Sequence, residues 1–365
     1  MRDTGAYQKE FSDFCRAGRL VGTIHNTEAA AFLERSLEAR GFVAHAYVDR
    51  RALARPIAMA LGILAFAILY LLTMDTVAAP AFMVMMLGPI ARGAHSIRKG
   101  APLCVFGVPS SPSSSPSAPT IVIGAHFDST SAIFSGSLVA QSLKLLGYGV
   151  LCTALADLVS PLAVWVAAAA GGYFMFGNAS RGGDDNASGV FAVLDCVDRL
   201  SGVGGVNIVP VFFNFEEVGL FGSAAFFRRY LSKQGGSLHG IPVDHENAYL
   251  LNFDCVGRGK RIFVSGSREL VDDILATKTA QDAKASATAF YASDHLSFKR
   301  PWKVASFARA NRLWMLDLAW VHSKADVPDQ VNLAYIDEVA AIAEECVREI
   351  AARPSSRLTA CSSSP

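Results

Sequence analysis

Acids and histidines in this chain gather in short polar segments, each following an apolar run. They are His126 and Asp128 in AHFDS, Asp184 and Asp185 in GGDDNASG, and Glu216 and Glu217 in FNFEEVGLFGS, followed by Asp254 in LNFDCVG and His322 in WVHSKAD. Imidazole nitrogens and carboxylate oxygens brought to one place form a donor set suited to zinc or a similar divalent ion. Each segment taken singly has a plainer reading. A lone HxD is a capped turn, DDNASG a turn feeding a helix with Asp or Asn as N-cap, EE a solvated strand edge, and a single Asp a loop cap. Their common position, each just past a strand, favours one shared site.

The strands are read from apolar runs. TIVIGAHFD (120–128) has the composition of a buried parallel strand ending in polar residues, and NIVPVFFNF, AYLLNFD and RIFVSG follow it. Helical patterns cover about 187–200, 219–232, 268–282 and 334–352. This alternation predicts an α/β fold, a mostly parallel central sheet flanked by helices. Ligands bind such sheets beyond the carboxyl ends of the strands, where the acids and histidines fall. Upstream, TEAAAFLERSLEAR (27–40) reads as a helix that Thr27 can cap, while FVAHAYVD and PLCVFGVP read as strands. PSSPSSSPSAP (109–119) is a Pro/Ser surface loop.

GAHFDS, GGDDNASGV, FFNFEEVGLFGS, NFDCVGR, SDHLSF and VHSKADVPDQVN resemble the successive motifs of the M28 zinc aminopeptidases. The resemblance runs from about residue 16 to 352, with two apolar interruptions, and RLVGT (19–23) is similar to the family's N-terminal signature. It implies a zinc-aminopeptidase-like fold, a peptide substrate and two Zn2+ or other divalent ions. By resemblance, His126 and Asp254 bind one ion, Glu217 and His322 bind the other, and Asp184 bridges both. Glu216 is then the general base and Asp128 orients His126. A cis peptide bond is implied at Asp184–Asp185. The chemistry is coherent: two metals about 3.5–4 Å apart can polarise a scissile carbonyl. A carboxylate behind a ligating histidine fixes its tautomer. One of two adjacent glutamates can ligate while the other moves a proton. Asp294 and His295 are read as pocket-shaping residues or supports behind the ligands. Trp302, Phe307 and Trp314 line a pocket or fill the core. Ser297 stands where the family usually has proline, and the spacing from His126 to Asp184 is longer than usual. Two alternatives share the fold: a glutaminyl-cyclase-like mono-zinc acyltransferase and a non-catalytic membrane scaffold or receptor. The complete ligand set and Glu216 favour the peptidase.

Two apolar blocks set the organisation. Residues 57–72 carry no charge, Asp75-Thr76 interrupts the run, and VAAPAFMVMMLGPIA resumes it; a second block spans about 145–177. The segments are a little shorter than the ~20 residues of an upright membrane span, so a buried hairpin is the alternative, especially for the second block. The expected division is 1–55, N-terminal part of the catalytic domain; 56–92, transmembrane hairpin; 100–138, catalytic domain. It continues with 139–178, a second membrane-embedded or apolar insertion; 179–352, catalytic domain; and 353–365, flexible tail. Ligands on both sides of the second block must meet, so each block begins and ends on one side of the membrane. Arg50, Arg51, Arg55, Arg92, Arg98 and Lys99 flank the first block and place that side in the cytoplasm. The seven scattered cysteines, without a CxxC pair, and an N-terminus without an apolar signal-like stretch point to the same compartment. The expectation is an integral membrane enzyme, in contact with lipid, whose catalytic domain faces the cytoplasm. Composition agrees, with 52% hydrophobic and only 18% charged residues. Lys plus Arg (33) against Asp plus Glu (32) leaves +1, which supplies no electrostatic case for nucleic acid as a partner.

Overall fold

A computed structural model describes residues 4–73, 87–113, 115, 118–132, 176–286, 293–311 and 320–353. Asp75-Thr76, nearly all of the second apolar block, Trp314 and most of the expected tail lie outside the described residues. The chain opens with helices α1 (Thr4–Phe14) and α2 (Ile24–Glu38) and strand β1 (Phe42–Tyr47). Thr23, not Thr27, caps α2: its side chain accepts from the Asn26 N–H, so the helix starts one turn earlier than the apolar pattern suggested. Then come α3 (Ala54–Thr73), α4 (Leu87–Arg98), β2 (Cys104–Pro109), β3 (Thr120–His126) and β4 (Ser131–Ala132). After β5 (Phe176–Gly177) follow α5 (Gly189–Arg199), β6 (Asn207–Phe213), α6 (Phe221–Phe226), β7 (Gly236–Leu238) and β8 (Ile241–Val243). The chain continues through β9 (Ala248–Phe253), β10 (Arg261–Gly266), α7 (Arg268–Ala276), β11 (Lys284–Ala285), β12 (Lys303–Ala310) and α8 (Leu333–Ala352).

The main sheet has eight strands in the order β1-β2-β6-β3-β9-β12-β10-β11. Its middle, β6-β3-β9-β12, is parallel, whereas β1-β2, β2-β6 and β12-β10 pair antiparallel. The parallel strands are buried on both faces and alternate between two cores. In β3, Ile121, Ile123 and Ala125 face the core shared with α1, α2, α5, α7 and α8, while Val122 faces the core shared with α4 and α6. That two-residue period explains why these strands read as continuous apolar runs. The register sets His126 opposite Phe213, so β3 and β6 end level with each other.

β12 went unread in the sequence because KVASFARA carries small residues and an arginine. Arg309 is nevertheless buried: it donates to the Gly259 carbonyl at 3.0 Å, lies 3.8 Å over the Tyr335 ring and pairs with Glu338. Trp302 and Phe307 are core residues, not a pocket lining; Phe307 stacks on Phe253 at 5.2 Å. Cys15, Cys104, Cys196, Cys255 and Cys346 are buried free thiols.

The first apolar block begins as α3, on which Ile57, Leu61, Phe66, Ile68 and Leu69 are exposed. Among the described residues, one helical stretch, Arg50–Leu69, is long and apolar enough to cross a membrane, with mean hydropathy 2.1. A core helix would bury those side chains; here only 17% of the stretch is buried.

Candidate metal centre

Five loops at the carboxyl ends of the parallel strands build the site. His126 is the last residue of β3, and Asp254 directly follows β9. After β6 the chain turns at Phe215, whose φ of 64 lies in the left-handed region and swings Glu216 and Glu217 back over the strand ends. His322 holds a similar backbone, with φ 57. The segment Gly183–Ser188 leads into α5 with non-helical Asp185 (φ −111, ψ 88) and Asn186 (φ −139, ψ 45).

The loops converge on Asp185. Its Oδ1 lies 3.2 Å from His126 Nε2 and its Oδ2 lies 3.1 Å from His322 Nε2. Asp254 Oδ1 stands 3.6 Å from His126 Nε2, and Glu217 Oε2 stands 2.8 Å from His322 Nε2. Two three-residue donor groups result, His126–Asp185–Asp254 and Asp185–Glu217–His322, each with its ligand atoms within 4.8 Å of one another. His126 Nε2 is fully buried and points between the two carboxylates without a well-directed hydrogen bond. That orphaned nitrogen among carboxylates fits a cation better than it fits a hydrogen-bond network.

The expectation for Asp184 is corrected here. Its carboxylate faces away from the histidines: Oδ1 accepts from the Gly257 N–H (2.7 Å) and the Ser188 hydroxyl (3.2 Å), and Oδ2 accepts from the Trp320 indole N–H (3.1 Å). Asp185 takes the place between the histidines because the non-helical backbone turns neighbouring side chains to different sides. The cis peptide bond likewise falls at Asp185–Asn186, one residue beyond the expected position. Asp128 behaves more broadly than expected. Its main-chain carbonyl lies 3.1 Å from His126 Nδ1, while its carboxylate accepts from the Glu216 and Glu217 N–H groups at 3.2 and 3.3 Å. It therefore fixes the histidine ring and the glutamate pair together.

Burial raises the pKa of Glu216 and Glu217, whereas at Asp185 the hydrogen bonds and charges of His126 and His322 outweigh burial and hold the carboxyl below its ordinary range. Glu216 is pushed well above its ordinary range, with His126 opposing and Asp254 and Glu217 reinforcing the shift. Burial brings Glu217 to about 7 despite the neighbouring His322. Burial by itself would lower both His126 and His322, but the surrounding carboxylates hold both well above the usual imidazole value. Imidazoles and carboxylates packed this closely form a donor set that a divalent cation can occupy. Behind Asp254, burial lifts Asp294 to about 7 and lowers His295 to about 4. The same layer holds the Ser223–Ser297 hydroxyl contact (2.8 Å), so Ser297 makes a polar contact that a proline there could not.

Residues missed in the sequence hold the loops. The Asp326 carboxylate accepts from the Asp184 N–H at 2.7 Å and the Asp185 N–H at 3.1 Å. Buried Arg19 donates to the carbonyls of Phe127, Arg181 and Gly182 at 2.8, 2.7 and 2.9 Å, joining the His126 loop to the Asp185 loop. Asn186 donates to the Phe253 carbonyl at 2.8 Å and so ties Asp185 to the end of β9. Asp326 and Arg19 both sat inside segments already singled out, VHSKADVPDQVN and RLVGT.

The profile of peptidase family M28 matches residues 108–347. The chain belongs to peptidase family M28. A search of curated protein sequences gives no match for this M28 chain. Among solved structures, it is similar to the aminopeptidase from Aneurinibacillus sp. strain AM-1, with TM-score 0.56, 15% identity, and 96% of this chain and 94% of that chain covered. It is likewise similar to the Porphyromonas gingivalis glutaminyl cyclase, with TM-score 0.55, 13% identity, and 94% and 96% covered. The zinc aminopeptidase BSAP from Bacillus subtilis aligns at TM-score 0.47 and 15% identity over 69% of this chain; the chain spans about half (52%) of that protein's length.

Proposed function

We propose that this M28 chain is a two-metal, zinc-dependent aminopeptidase attached to a membrane. The observation that carries this reading is the Asp185 carboxylate, with one oxygen 3.2 Å from His126 and the other 3.1 Å from His322. His126 and Asp254 would hold one ion, Glu217 and His322 the other, and Asp185 would be shared. When bound, the ions supply Lewis acidity toward the scissile carbonyl. The chain's own residues do the rest. Glu216, buried beside the ligands and anchored through its N–H to Asp128, takes a proton from the attacking water and returns it to the departing amine. Asp128 and Asp326 keep the ligand loops in register by accepting main-chain N–H groups. The exposed apolar face of α3 supports membrane attachment, and the flanking arginines support a cytoplasm-facing catalytic domain.

The test uses the full chain purified with its metal. Metal content is counted by plasma mass spectrometry, and turnover is measured on aminoacyl p-nitroanilides, their N-acetylated forms and a glutaminyl peptide. Two equivalents, cleavage of free-amine substrates alone and loss of activity with chelator are expected. One equivalent with cyclisation of the glutaminyl peptide would favour the cyclase, and full metal without turnover would favour a scaffold. Alkaline carbonate should leave the chain in the membrane fraction. A Thr76→Cys variant should be labelled without opening the cytoplasm; labelling only after opening would reverse the orientation.

A further inference from the structure

The mouth of the site lies where the apolar segments leave the folded body. On the His126 side the side chains are closed off: His126 is 1% exposed, Asp185 6% and Asp254 6%. On the other side His322 is 34% exposed, which makes it the open edge of the described centre. That is also the side on which the second apolar block is rooted. Its two ends form the β4–β5 pair, Ser131 against Gly177 and Ala132 against Phe176. The Thr130 N–H at the head of this pair donates to Glu217 Oε1 at 3.1 Å, and the Ala132 N–H donates to the His322 carbonyl at 2.9 Å. Between those ends, residues 133–175 contain only Lys144 and Asp157 as charged residues.

The first apolar block meets the same loop from α3. A Cβ at Gly219, two residues past Glu217, would sit 3.4 Å from the Met59 methyl. Ala52, Arg55 and Phe221 line one small cavity, and on α4 a Cβ at Gly93 would meet Phe221 at 3.0 Å and Val218 at 3.1 Å. Beyond Met59 the exposed residues Leu61, Phe66, Ile68 and Leu69 continue along α3. At 1.5 Å per residue, the ten residues from Met59 to Leu69 extend about 15 Å from the catalytic loop. The described roots of both apolar blocks, the β4–β5 pair and the start of α3, therefore lie against the loops that carry Glu217 and His322.

We infer that the catalytic mouth faces the bilayer surface and that the substrates are lipid-anchored peptides, presenting a free N-terminus a few residues above the membrane. The inference rests on the proposed membrane-attached peptidase and adds to it the source of the peptide. A soluble peptide still fits the site, but a membrane-held one arrives already concentrated at the rim.

A tether-length ruler tests this. The enzyme is reconstituted in vesicles of 7:3 phosphatidylcholine and phosphatidylglycerol. Three peptides share one N-terminal sequence: a soluble one, one joined to a C-terminal dipalmitoyl anchor by four residues, and one joined by twenty. Four extended residues reach about 14 Å and twenty about 70 Å. The short-tethered peptide should be cleaved at least as fast as the long-tethered one, and about tenfold or more faster than the soluble one. Cleavage of the long tether but not the short one would place the mouth far from the bilayer and overturn the inference. So would cleavage of the soluble peptide with neither anchored form cut, and both results would leave the peptidase reading intact. Failure to cleave any of the three would refute the peptidase reading and this inference with it.

Discussion

Exchanging the roles of two adjacent aspartates is the sharpest test of the site. Asp185→Ala removes the one carboxylate that reaches both histidines, at 3.2 and 3.1 Å, so each three-residue donor group loses a member. Disturbing a residue behind a metal ligand costs about 10–100-fold in affinity. Removing a shared ligand should therefore weaken both sites by at least about 100-fold. Asp184→Asn touches a different set of partners, the Gly257 N–H, the Ser188 hydroxyl and the Trp320 indole. Burial already pushes Asp184 up to about 8, so near neutral pH much of it is uncharged and an amide resembles it. The amide sets one NH2 against a donor, losing a bond at about 1–3 kcal/mol. At about 2–4 °C per kcal/mol for a chain this large, Tm should fall by roughly 2–12 °C with both metals retained. Metal content after desalting, competition with a chelator dye, and thermal unfolding of both variants in chelator make the comparison. Metals lost from Asp184→Asn and kept by Asp185→Ala would refute the assignment.

Glu216→Gln should keep both metals and lower kcat by about 10²–10⁴-fold, because only proton transfer is removed; unchanged turnover would discard Glu216 as base. Asp326→Ala leaves the Asp184 and Asp185 N–H groups buried without their acceptor, which should cost about 2–5 kcal/mol in denaturant titrations and weaken metal binding about 10–100-fold. Gly222→Ala places a Cβ 2.1 Å from the Asn214 carbonyl oxygen and 2.2 Å from that of Leu103, so unfolding stability should drop by about 3 kcal/mol or more. A variant as stable as the parent would show that this close approach does not constrain the Glu216–Glu217 loop.

Much of the centre was legible because apolar strands that stop in polar residues leave a mark of their own. His126, Glu217, Asp254 and His322 each follow such a run, and the structure brings all four round one carboxylate. The α/β alternation was equally plain, since β3, β6 and β9 are buried on both faces and read as largely apolar runs rich in Ile, Val, Leu and Phe. β12 was not, because its small residues and Arg309 do not read as a buried strand until Arg309 meets Glu338 and Tyr335 across the fold. The cap of α2 slipped by one turn because Thr23 and Thr27 are both good caps, and only the chain's entry into the helix selects between them.

The amino-acid sequence by itself determined which segments meet at the strand ends and which donor atoms they carry, because burial of a strand dictates where its polar end must emerge. Only the tertiary structure decided between Asp184 and Asp185. Two neighbouring aspartates have the same chemistry, and their side chains diverge once the backbone leaves the helix at Asp185. Asp326, and the Phe253 carbonyl acting through Asn186, hold that departure from distant points of the chain, and the Gly257 N–H and Trp320 draw Asp184 to the far side. Those partners lie between 67 and 142 residues away in sequence, beyond the reach of any local pattern, so the choice of aspartate belongs to the fold.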